Sequence, residues 1–191
     1  MLMSRLRLAV LFPLLRWVSD KESDETLAQL AADAGLEATA FGDPGGWDLQ
    51  AWAPADAVGR FVELCRSRAG DEEAFRRMCA YELRQAYQHL DHLLWALTPA
   101  QVYQRAAATI GELSTDGRYE IVAREPGLQH WRYYCEGESS RGLCLLRQAN
   151  AELLPTLWDL QPATVEERAC LAQGDPWCEY VIRWKSREER Q

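Results

Sequence analysis

The sequence predicts an α+β protein in which one antiparallel sheet packs against helices. Three observations carry this: helix-period apolar spacing through the first two thirds, a strand–turn–strand pattern after residue 118, and a second such pattern after residue 163.

Residues 8–15 are apolar, flanked by Arg5, Arg7 and Arg16 and interrupted by Pro13, and read as a buried strand or a short helix. Ser23 or Asp24 can cap a helix with Leu27, Leu30, Ala31 and Ala34 on one face and Gly35 at its stop. The turn-rich run 41–47 marks a boundary. Helical spacing resumes at Val58, Phe61, Val62 and Cys65, restarts at Asp71 and continues to about Leu97. Thr98-Pro99-Ala100-Gln101 forms a capping box whose helix runs to about Leu113. Residues 119–123 and 129–136 form a hairpin about Glu125-Pro126-Gly127. Ser139 or Ser140 caps a further helix that Pro155 must kink or break. Residues 164–169 and 178–184 form the closing hairpin about Gly174-Asp175-Pro176. The chain divides into a segment 1–50 of unassigned role, a domain over 51–184, and a charged tail or linker over 185–191.

A net charge of -8, with only Lys21 and Lys185 as lysines and the arginines scattered, disfavours nucleic acid and anionic membranes. The apolar start is too short to span a bilayer and lacks a small-residue cleavage site, so a cytoplasmic address is expected. In a reducing compartment, spaced cysteines point to metal or redox chemistry before disulfides. Of the six cysteines, Cys65 and Cys79 fall on apolar helix faces and read as packing, and Cys135 is undecided.

Cys170 and Cys178, with seven residues between them, flank the Gly-Asp-Pro turn, which folds two thiols toward one point. On the residues alone three readings stand: thiolates for a borderline-soft ion such as zinc, simple packing, and a redox disulfide. Residues 118–184, and 167–184 above all, resemble the 4-vinyl-reductase domain. The resemblance rests on a cysteine, a Gly-Asp turn, a second cysteine and a closing strand. That family supplies input modules of bacterial signalling proteins, with distant relatives among vesicle-tethering subunits and haem-based nitric-oxide sensors. Its zinc-containing members hold the metal with three cysteines and one glutamate, which here implies Cys144, Glu167, Cys170 and Cys178, with Glu166 as a neighbouring carboxylate. Such a closed shell would make the zinc structural, bracing the terminal hairpin against the preceding helix.

The resemblance also implies a cavity between helices and sheet. The aromatic and imidazole side chains of the second half are its candidate lining: His92, Trp95, Tyr103, His130, Trp131, Tyr133 and Trp158, with Tyr87, His89 and Tyr134 beside them. No phosphate loop, nucleophile elbow or open metal triad is present, so an enzyme is not expected. The expectation is a homodimeric sensory domain that binds a small hydrophobic or aromatic molecule and signals to a partner or effector. The alternatives are an assembly or lipid-carrier module and a cysteine-based redox or iron–sulfur sensor.

Overall fold

The computed structural model describes residues 4–36, 48–87, 97–137 and 139–185. Near the start, β1 (Arg5–Arg7) pairs antiparallel with β2 (Trp52–Pro54), Leu6 opposite Ala53. A 3-10 turn over Leu8–Leu11 leads into α1 (Phe12–Lys21), so the apolar start is helical, with Pro13 in the first turn, where a missing N–H costs nothing. In α2 (Asp24–Ala34) the Ser23 hydroxyl accepts from the Thr26 N–H at 3.1 Å, and Gly35 ends the helix at a φ of 77°.

Next come α3 (Ala55–Ala69) and α4 (Glu72–Tyr87), the latter capped by Asp71 accepting from Ala74 N–H. In α5 (Pro99–Leu113) the capping box forms as expected: Thr98 N–H donates to Gln101 Oε1 and Gln101 N–H donates to Thr98 Oγ1. The boundary expected at 41–47 and the last part of the helix expected to reach Leu97 lie outside the described residues.

The main sheet holds β3 (Arg118–Glu125), β4 (Leu128–Tyr134), β5 (Thr164–Ala169) and β6 (Cys178–Arg183) in the order β3-β4-β6-β5, all pairs antiparallel. Between the hairpins lies α6 (Arg141–Leu153), capped by Ser140. Pro155 stops it: the chain tightens into a 3-10 turn over Leu154–Trp158 and leaves through Asp159 at a φ of 57°.

Among the described residues two apolar clusters form the interior. One gathers Leu8, Leu11, Leu14, Phe61, Val62 and Phe75 from the helical half, so the described part of segment 1–50 is built into the same core as α3 and α4. The other gathers Tyr103, Trp131, Tyr133, Trp158 and Ile182 around the sheet. Helix α6 belongs to both, giving Leu143, Leu145 and Leu146 to the first and Cys144 and Ala151 to the second. It is the spine between the halves. Its close approach to α3 depends on Gly142, whose N–H donates to Glu63 Oε1 at 2.7 Å.

Candidate ligand cavity and thiol cluster

Strand β4 sorts its side chains by the two-residue period: Gln129, Trp131 and Tyr133 point inward, while His130, Arg132 and Tyr134 face out. The inward aromatics form part of the wall of a cavity of about 460 Å³ between the helical half and the sheet. That volume lies within the range of small-molecule sites. The opposite wall comes from Val10, Phe12 and Pro13, from Leu83 and Tyr87 of α4, and from Ala106 and Thr109 of α5. Helix α6 adds Leu143, Leu146, Arg147, Asn150 and Ala151. Tyr87 is held by its hydroxyl donating to Asn150 Oδ1 at 3.0 Å.

The expected lining residues separate accordingly. Trp131 and Tyr133 line the cavity, whereas Tyr103 is packed in the core, donating to the Ala151 carbonyl at 2.7 Å and meeting Trp131 edge-on. Trp158 donates to the Leu97 carbonyl. His130 lies on the outer face with Nε2 2.8 Å from Glu179 Oε1. His89, His92 and Trp95 lie outside the described residues. Arg147 was not anticipated. Its signal is positional: it sits four residues from both Leu143 and Ala151, so a guanidinium occupies the apolar stripe of an amphipathic helix.

On the outer face, Glu179 accepts from Arg132 Nε at 2.8 Å and Trp177 Nε1 at 3.0 Å. The Arg132 guanidinium above all, with His130 and Trp177, holds this carboxyl down at about 2. A depressed carboxyl stabilises the fold above its unfolded value near 4.5, and that contribution fades as pH falls toward 2. Glu179→Gln is therefore expected to cost about 1–2 kcal/mol at neutral pH. In urea melts the deficit should shrink steadily below pH 4.5. A deficit unchanged down to about pH 2 would rule this ion cluster out as its source.

The sulfurs of Cys144, Cys170 and Cys178 lie within 4.8 Å of one another, all buried. The closing turn works as its residues suggest: Gly174 takes a φ of 93°, and Asp175 Oδ2 accepts from the Cys170 N–H at 2.7 Å, folding the second arm back. Cys144 Sγ stands 3.4 Å from Cys178 Sγ, and Leu171 N–H donates to Cys178 Sγ at 3.3 Å. The hydrogen bond from Cys178, with help from the Arg147 charge, draws the Cys144 thiol down. The same bond and burial push Cys178 up, and burial pushes Cys170 up. One thiolate beside a thiol can close to a disulfide on losing two electrons to an oxidant such as hydrogen peroxide.

Glu167, expected as a fourth ligand, accepts instead from Arg141 Nη1 at 2.6 Å. Arg141 also grips both carboxylate oxygens of Glu72 and approaches Cys170 Sγ at 3.5 Å. Glu166 is turned away, accepting from Arg168 and Arg183. Cys65 and Cys79 are buried in the helical cluster, and burial pushes both thiols up, Cys65 to about 12. The Cys135 thiol donates to Asp116 Oδ2 at 3.4 Å.

No known protein-family profile matches this sequence, and no curated protein is detectably similar to it. Solved structures are similar in shape. An H-NOX protein from S. oneidensis in the Fe(II)NO ligation state shares 9% identity, covering 95% of this chain and 100% of that one at a TM-score of 0.66. The Fe(II) unliganded H-NOX protein from K. algicida shares 11%, covering 95% and 97% at 0.64. The chain has the H-NOX fold. A third such structure, solved to probe heme distortion in the H-NOX family, shares 12% and covers 95% and 96% at 0.61.

This corrects two expectations. The 4-vinyl-reductase resemblance gives way, because no family profile supports it and the structures that match nearly the whole chain are H-NOX domains. Its motif is confined to one hairpin and the preceding helix, and turn chemistry about Gly174 suffices to bring Cys170 and Cys178 together. The expected structural zinc gives way with it. The matched structures are described as Fe(II) and heme proteins, and Glu167, whose Oε2 accepts from Arg141, does not join the cluster of three sulfurs.

The H-NOX fold prompts a test of the cavity against a haem. Haem iron is held by imidazole, thiolate, thioether or phenolate. Among the described lining residues only tyrosines carry such a group, and burial pushes the phenols of Tyr87, Tyr119 and Tyr133 up, away from phenolate. The described wall suits an apolar body with a negative group near Arg147 and supplies no axial ligand.

Proposed function

We propose that the chain is a ligand-responsive sensor domain, not an enzyme, whose signal molecule occupies the cavity beside α6. The carrying observation is the cavity's position: its lining includes residues of both apolar clusters and one face of the helix that joins them. The H-NOX fold of the neighbours supports a sensory reading, since their descriptions name Fe(II)NO and Fe(II)CO ligation states. A ligand that favours one packing of α6 over another would shift the halves relative to each other, and a partner or effector reading either half would respond. Only unequal binding to the two packings can do this.

The observable is melting temperature against a panel of aromatic and aliphatic small molecules, with hemin included and followed by its absorbance. At saturating excess, roughly a hundredfold over Kd, a true ligand should add about 2.7 kcal/mol and raise the midpoint by several degrees. A flat response to every class would overturn the cavity as a sensory site.

A further inference from the structure

Among the described residues that line the cavity, Arg147 alone carries a charge. Its guanidinium carbon lies 3.9 Å from the centre of the Tyr133 ring, which accounts for one flat face. Its Nη1 is buried with no hydrogen-bond partner, and no carboxylate among the described residues pairs with it. Arg141, by contrast, holds two glutamates, and Arg76 and Arg132 each hold at least one. Cys144, one turn earlier on α6, lends Arg147 a negative charge, but its hydrogen bond is with Cys178 and it accepts none from the guanidinium. An arginine stays charged when buried, and a buried guanidinium nitrogen without an acceptor is costly. A ligand that brings a hydrogen-bonding anion relieves that cost.

We propose that the cavity takes an apolar molecule bearing a carboxylate, with the carboxylate oxygens accepting from Arg147 and the hydrocarbon body lying against Val10, Leu146 and Trp131. This deepens the sensor reading and rests on the cavity being the ligand site. The geometry suits the class: a guanidinium offers two parallel donors that match a carboxylate, and the remaining wall, apart from Thr109, Asn150 and the tyrosine hydroxyls, offers hydrocarbon. The same chemistry has two sources, a free aliphatic or aryl acid and the propionate arm of a porphyrin.

Titration calorimetry on the full chain with decanoate, methyl decanoate and hemin separates them. Decanoate should bind at least tenfold, and up to about a hundredfold, more tightly than its methyl ester, which keeps the tail and loses the charge. Arg147→Met should erase that preference while keeping ester binding, and its melting temperature should hold or rise because an unpaired charge has gone. Arg147→Lys should restore part of the preference. Hemin whose affinity also falls with Arg147→Met assigns the porphyrin source; hemin indifferent to it, beside a responsive decanoate, assigns the free acid. Equal binding of acid and ester to the native protein would overturn the anchor while leaving the cavity reading intact. No binding by any of the three probes would overturn the anchor, and the wider panel would then decide the cavity reading separately.

Discussion

Phe61→Ala should cost the fold about 3–5 kcal/mol, a large share of what a domain of this size possesses. Phe61 is completely buried on α3 within the helical cluster, beside Val58, Val62 and Cys65 on the same face and Phe75 from α4. Removing the ring leaves a void between elements whose backbones are fixed by their own hydrogen bonds, so collapse is partial and the lost contacts are not regained. Urea unfolding should show the midpoint falling with an unchanged slope. A loss under about 1 kcal/mol would mean that the helical half is loosely packed, contrary to its buried areas.

Gly142→Leu is the second large effect, from the opposite cause. A Cβ at this position would stand 2.6 Å from Val62 Cγ1 and 3.4 Å from the Val62 carbonyl oxygen. Valine is stiff at χ1, so the methyl cannot swing aside freely. Alanine would regain roughly 0.5–1 kcal/mol of helix propensity against that clash and leave the sign in balance. Leucine adds three further carbons and forces α3 and α6 apart, at a cost of about 3 kcal/mol or more. Because α6 also walls the cavity, the variant should lose ligand response even where it still folds. Melting temperature read beside decanoate affinity checks both effects together.

Local features were legible in the sequence because local chemistry decides them. Ser23 with Gly35, the Thr98–Gln101 capping box, the break at Pro155 and both hairpins appear where turn and cap residues place them. The spacing about Gly174-Asp175-Pro176 likewise brings Cys170 and Cys178 together, with Cys144 joining from α6. The cavity was not legible, since Leu146, Ala151 and Trp131 follow the same periodicity whether they face a neighbour or a void. The fold family was not legible either. It is set by how residues 5–34 and 52–69 pack on the later helices, and those long-range contacts leave no motif in the chain. Glu167 was expected as a metal ligand from the family resemblance, and nothing local in the sequence reveals that Arg141, twenty-six positions away, bonds its Oε2.

Among the described residues, the outer strands of the main sheet, β3 and β5, carry Arg118, Glu120, Arg124 and Glu125 on one rim and Glu166 and Arg168 on the other. Unpaired rims invite strand addition between molecules, and ionised side chains along them make each added strand shed its hydration shell first. Self-association by ribbon extension is thereby discouraged on both flanks.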